Sequence, residues 1–167
     1  MPYRRSIWEF NDEYAPSPKD AGDVDLQLIA TLQSIEAAKK RTPPIPIARL
    51  PELAEKLKSA PDPEMVDPHG FAAYLNEICV YGVGIKTAVC MLAVVSKGAF
   101  PPMDQKLAAG LHKLGHITES VAEALNSGKV EDFAAVYVGK IIPLWRDARS
   151  QGEEPRAIDD RWSGAGD

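Results

Sequence analysis

Two side chains in this sequence stand where they could do chemistry, a lysine and an aspartate. Lys86 lies in Gly82-Val83-Gly84-Ile85-Lys86-Thr87-Ala88, in the first turn of the helix that the following apolar run predicts. The positive end of a helix dipole disfavours a lysine charge there by a few tenths of a kcal/mol, and the same field eases loss of its proton. A neutral amine is the form that attacks carbon to make a Schiff base. Asp104 follows Phe100-Pro101-Pro102-Met103 at a predicted helix start. A carboxylate there would stabilise the positive charge that builds on a sugar as an N-glycosidic bond breaks. Each residue has a plainer reading as well. Lys86 could simply contact phosphate, and Asp104 could simply cap its helix, since Asp is among the best N-caps.

The elements that must position these groups are written in the surrounding punctuation. Gly82 and Gly84 permit positive φ and leave room for a phosphate to approach the backbone. The helix that follows offers unpaired N–H groups and the positive end of its dipole. Val83 pins the turn to the core. Set between two predicted helices, Phe71 to Cys79 and Ile85 to Lys97, this is the residue grammar of a helix-hairpin-helix. Such a grip reads backbone, and it positions a protein on DNA rather than specifying bases. An ordinary tight turn between two helices is the alternative. Six loop residues, Gly98 to Met103, can reach back about 20 Å at full extension, as far as the second helix runs. Lys86 and Asp104 can therefore share a cleft.

Together the glycine hairpin with its lysine and the Gly- and Pro-containing loop ending in Asp resemble the helix-hairpin-helix-GPD superfamily of DNA glycosylases, of the endonuclease III and 8-oxoguanine glycosylase type. The resemblance spans about Phe71 to His116. It implies that Lys86 is the lysine of the bifunctional glycosylase/lyase members and that Asp104 is the family's catalytic aspartate. It implies that Gly82, Val83, Gly84, Lys86 and Thr87 bind the DNA backbone, with double-stranded DNA as the partner. The implied activity is release of a damaged or modified base, with Schiff-base lyase chemistry at the abasic site. Some members hold an iron–sulfur cluster, but Cys79 and Cys90 cannot supply its four cysteines, so no cofactor is expected. Val80-Tyr81 stands where the family often has Leu-Pro, and only about 70 residues precede the hairpin. A non-catalytic DNA-binding or protein-interaction module is therefore the second reading.

Composition bounds the rest. With 167 residues, 45% of them hydrophobic, the chain is long enough for one domain with one core. The net charge of −5 opposes phosphate binding on average. Between Tyr81 and His116, however, four lysines stand against one aspartate, a local +3 that leaves −8 elsewhere. No run of signal-peptide or membrane-span length is present, so a cytoplasmic protein, nucleoid-associated in a bacterium, is expected, with free cysteines and no membrane partner. Helical periodicity predicts an all-α, compact fold. Residues 1–22 form an arm anchored by aromatic rings, 23–150 a helical domain with its hairpin at 71–97, and 151–167 a polar, irregular tail. Predicted helices run from Val24 to about Lys40, from near Pro51, from Asp104 to about Leu114, from Thr118 or Ser120 with Glu123 closing a capping box, and from Val130 to a kink at Pro143. His112 and His116 have helical metal-pair spacing, but Gly115 intervenes and no metal site is expected; His69 reads likewise. Trp8, Trp145 and Trp162 read as core or anchors before they read as platforms for a flipped base.

Overall fold

A helix needs a start that satisfies its first amides and a face that can leave water, and the sequence supplies these pairs repeatedly. A computed structural model describes residues 7–9, 32, 35 and 45–166. A 3-10 turn, Ile47–Arg49, runs into α1, Leu50–Lys58, which buries Leu50, Leu53, Ala54 and Leu57 at helical spacing. Asp67 caps α2, Pro68–Cys79, by accepting from the Gly70 amide at 2.6 Å. Pro68 occupies the first position, where its missing N–H costs nothing.

The next helix, α3, Ile85–Val95, has no polar face: Thr87 through Val94 are all buried. A helix apolar all round belongs in the middle of a core, and α1 and α2 pack against it. It ends where the Lys97 amide bonds the Val94 carbonyl and the Gly98 amide bonds the Ala93 carbonyl. Lys97 and Gly98 hold φ of 54° and 84°, the left-handed conformation that stops a helix in this way. Glycine is required at the second of these, because a Cβ on Gly98 would lie 2.6 Å from Pro155 Cγ.

Asp104 caps α4, Gln105–Lys113, which Gly115 stops as expected. Thr118 caps α5, Glu119–Leu125, through the Val121 amide. That register puts Val121 rather than Glu123 at the capping-box position, so the predicted box does not form. Then α6, Val130–Val136, passes through a π-helical turn, Tyr137–Ile141, into α7, Ile142–Ser150. Pro143 lacks the amide that would continue an α ladder. The wider turn ahead of it, in which the Ile142 amide reaches the Tyr137 carbonyl, absorbs the break that the sequence announces as a kink.

Where the sequence reading expects an irregular tail from Gln151, the chain instead forms α8, Pro155–Ala165. Its buried residues are only Ile158 and Trp162, one turn apart, too few to declare a period amid polar neighbours. The helix packs more extensively on α4 than any other pair of the described helices. Glycine permits this: a Cβ on Gly110 would sit 1.6 Å from the Trp162 carbonyl oxygen, and one on Gly166 would sit 2.2 Å from that of Lys106.

Aromatic rings fill the space between helices. Phe71 stacks on Tyr137 at 5.0 Å and on Phe100 at 5.8 Å. Trp8 stacks on Trp145 at 6.0 Å, and Trp145 meets Trp162 edge-on at 5.7 Å. All three tryptophans are buried, and the Trp8 indole donates to Asp159 at 2.7 Å, tying residues 7–9 to α8. Leu32 and Ile35 are helical and fully buried; the rest of the predicted Val24 to Lys40 helix, and of the arm up to Gly22, lies outside the described residues. No strand occurs among the described residues, and the fold is all-α and compact. No helix among them is long and apolar enough to cross a membrane.

The α4–α8 contact makes two glycines behave oppositely. Gly110→Ala drives a methyl into the Trp162 backbone and should cost more than about 2 kcal/mol, as overpacking against an immovable neighbour does. Gly164→Ala, where a Cβ meets nothing within 4 Å, should be neutral or stabilise by up to about 1 kcal/mol. Urea denaturation of both variants checks this, and equal midpoints would show that α8 does not rest on Gly110.

Candidate functional site

The hairpin between α2 and α3 is built from a few bonds. The Gly82 amide bonds the Cys79 carbonyl at 2.9 Å, and Gly82, at φ 88°, turns the chain back. Val83 is buried, as expected, and holds the turn against the core. Tyr81 is buried as well, with its hydroxyl on Glu52 at 3.3 Å and the Arg49 guanidinium 4.6 Å above its ring. Gly84 departs from expectation: its φ is −72° and its backbone is extended, the ordinary N-cap conformation. Only Gly82 uses positive φ. Gly84 is distinguished by space instead, because a Cβ there would meet nothing within 4 Å. Gly84 has no side chain to cap α3, and the helix itself gives no acceptors to the amides of its first turn.

Lys86 is half-buried in that first turn. It lines a cleft of about 520 Å³ with Cys79, Val83, Thr87, Leu125 and Asn126 among the walls. Its amine donates to the Asn126 side-chain oxygen across the cleft. The floor is largely apolar, and Thr87 beside it is the one buried polar residue of the described core.

Asp104 is positioned by a loop with almost no freedom. The Trp145 indole donates to the Gly98 carbonyl at 2.8 Å, the Phe100 amide to the Ser96 hydroxyl at 3.1 Å, the Tyr137 hydroxyl to the Pro101 carbonyl at 2.5 Å, and the Cys90 thiol to the Met103 carbonyl at 3.5 Å. Pro101, Pro102 and Met103 are buried. Burial, with Cys90 nearby, pushes the Tyr137 hydroxyl well above the usual phenol range, so it remains a donor. Cys90 lies one turn beyond Lys86 on the same stripe of α3, and its bond to Met103 brings the start of α4 alongside the first half of α3. There Asp104 accepts from the Leu107 amide at 2.7 Å through one oxygen. Its second oxygen meets no hydrogen-bond donor among the described residues.

The loop therefore reaches back as the sequence permits, yet amine and carboxylate are differently engaged. Lys86 turns to Asn126, and Asp104 is not among the walls of the lysine's cleft. Other candidates lie apart: His69, His112 and His116 are exposed, with His116 6.5 Å from the Trp162 ring. Cys79 is half-buried and Cys90 is buried. Among the described residues no cluster of three His, Cys, Asp or Glu side chains could hold a metal. Sequence reasoning missed Asn126, a lone amide before Ser-Gly with no motif around it, and Tyr137, whose role depends on a contact 36 positions away. No protein-family model, curated protein or solved structure matches the chain.

Tyr137→Phe tests the support of Asp104. The substitution keeps the ring stack but leaves the Pro101 carbonyl buried without a donor, so stability should fall by about 1–3 kcal/mol. Denaturant titration measures the loss; an unchanged midpoint would mean that the loop is held by its other bonds alone.

Proposed function

We propose that this chain is a DNA base-excision protein that breaks the N-glycosidic bond of a damaged or modified base and can proceed to cleave the strand. One observation carries the reading. A lysine sits in the first turn of a buried helix, at a cleft, two residues after a glycine with an open flank, and a carboxylate is fastened alongside the same helix. Gly82, Val83, Gly84, Lys86 and Thr87 would form the backbone grip, with a phosphate received by the amides of the first turn.

In the chemistry this supports, Asp104 faces the sugar as the base departs and stabilises its cationic character. The Lys86 amine forms a bond to C1′ while the bond from C1′ to the base breaks, and the base leaves with the bonding pair and takes up a proton. Loss of the amine proton and opening of the sugar ring at O4′ give the Schiff base. Removal of a C2′ proton then expels the 3′ phosphate and cuts the strand. Asp104 must be reached by the sugar from outside the lysine's cleft, so DNA has to arrive across the start of α4. The separate engagement of Lys86 and Asp104 also favours a second reading, a DNA-binding module without base excision. Both readings imply a cytoplasmic setting, nucleoid-associated in a bacterium, and a shallow dependence of binding on salt, because few lysines are at hand.

Gly84→Ala separates grip from fold. It meets open space, so the variant should melt like the parent while affinity for every duplex falls roughly tenfold, the loss of one charge-assisted hydrogen bond. Unchanged affinity would remove the hairpin from DNA binding.

Parallel assay of free base and nicked strand tests the chemistry. Asp104→Asn keeps a capping oxygen but loses the charge, and base release should fall by roughly 100-fold or more. Lys86→Gln should abolish borohydride trapping and strand cleavage while some base release survives through water. Full activity in Asp104→Asn would remove that residue, and a parent inactive on every damaged or modified base would leave the binding module.

A further inference from the structure

Lys86 does not reach into the cleft unaccompanied. Its amine meets the side-chain oxygen of Asn126, 40 positions away in sequence. The point from which Asn126 reaches is fixed. Its amide bonds the carbonyls of Ala122 and Glu123 at the end of α5, and the preceding Leu125 is buried. The turn that follows is closed by the Ser127 hydroxyl on the Ala124 carbonyl at 3.0 Å, by the Lys129 amide on the Ser127 hydroxyl at 3.2 Å, and by Gly128 at φ 75°. A side chain with two dihedrals, leaving a fixed backbone, is thus opposed to a lysine with four.

We propose that Asn126 is a positioning residue for Lys86, an inference that rests on the reading of Lys86 as a nucleophile. A solvated lysine samples many rotamers, and a neutral acceptor selects those that keep its nitrogen at the cleft. The chemistry of that acceptor matters. A carboxylate in the same place would hold the amine equally well but would favour the ammonium form, which has no lone pair for attack. An amide orients the nitrogen without adding charge. Among the described residues, Cys79 is the other titratable side chain on the walls of the cleft, and no carboxylate is among those walls. The α5–α6 turn is accordingly part of the reactive site, although nothing in its own sequence announces it.

The test uses the full chain with Asn126→Asp and Asn126→Ala. Competitive acylation across a pH series, read by peptide mass spectrometry, reports the titration of the Lys86 amine without DNA. Borohydride trapping on a duplex carrying an abasic site reports its attack on carbon. In Asn126→Asp the Lys86 titration should move up by about one pH unit, and trapping near neutral pH should fall about tenfold and recover in alkali. In Asn126→Ala trapping should fall by about tenfold at every pH, with the amine no longer held. Asn126 is exposed, so both variants should melt like the parent, and trapping is read at saturating duplex so that weaker phosphate binding beside the new charge does not enter the comparison. If the parent traps while the Lys86 titration stays put in Asn126→Asp, or while Asn126→Ala traps at the parental rate, this inference alone is overturned. A parent that traps on no substrate overturns the nucleophile reading and this inference with it.

Discussion

The burial of α3 on all sides constrains everything else in the molecule. Eight consecutive residues, Thr87 to Val94, are out of water, so no face of the helix is available to a ligand and only its two ends reach the surface. Other helices must wrap it, and the chain must leave and re-enter at those ends. At the N-terminal end this exposes amides that the helix cannot satisfy itself, in surroundings where apolar neighbours screen the dipole less than water would. Any chemistry associated with α3 is therefore concentrated in its first turn, where Lys86 and Thr87 stand. At the other end Lys97 and Gly98 turn the chain so sharply that the loop to α4 has to run back along the helix it has just left.

That return path creates a polar problem, and its solution is what fixes Asp104. A loop carrying Pro101 and Pro102 inside the protein buries carbonyls that it cannot pair within itself. The donors come from elements distant in sequence: Trp145 from α7, Tyr137 from the π turn, Cys90 from α3. The π turn is thus tied to the site as well as to Pro143. It accommodates the missing amide, and the ring of its first residue lies between Phe71 and Phe133 while the hydroxyl meets Pro101. Packing and polar satisfaction converge on one tyrosine.

Which features could be read in advance follows from how local their causes are. The caps at Asp104 and Thr118 and the stops at Gly98 and Gly115 each depend on a few neighbouring residues, and the sequence displays them; α2, by contrast, begins at Pro68 behind the Asp67 cap, three residues ahead of the Phe71 start that the apolar pattern suggests, and α3 ends at Val95 rather than Lys97. The hairpin glycines were visible for the same reason, though their division of labour was not: that Gly82 alone needs positive φ while Gly84 serves by leaving space depends on the turn's register. Helix α8 was hidden because its packing depends on a glycine in α4 and on two apolar side chains among charged ones. Asn126 and Tyr137 were hidden because a lone polar side chain carries no signal until the fold brings its partner near. The joint placement of Lys86 and Asp104 was readable as reach, but not as orientation, since lysine rotamers answer to a turn 40 positions away.

Charge poses the remaining question, because a net −5 chain is an unpromising holder of phosphate. The lysines between Tyr81 and His116 are an island only in sequence. Lys86 opens α3 and Lys97 lies past its far end, about 16 Å along the axis, while Lys106 and Lys113 stand in the first and last turns of α4. Spread in this way they do not make one strongly positive face. A grip of the kind proposed would instead have to come from the start of α3, where directed amides, a fixed dipole and one lysine act within a few ångströms. Such a contact is strong per group and short in reach. It suits a protein that repels DNA at long range yet can hold a single phosphate closely. That combination disfavours long-lived sliding on intact duplex and favours sites where the backbone is already distorted enough to enter the hairpin. An acidic surface and a phosphate-binding helix end are therefore compatible. Under the proposed function, together they would shift selectivity from sequence toward backbone shape, which is where a lesion with a loosened base differs most from ordinary DNA.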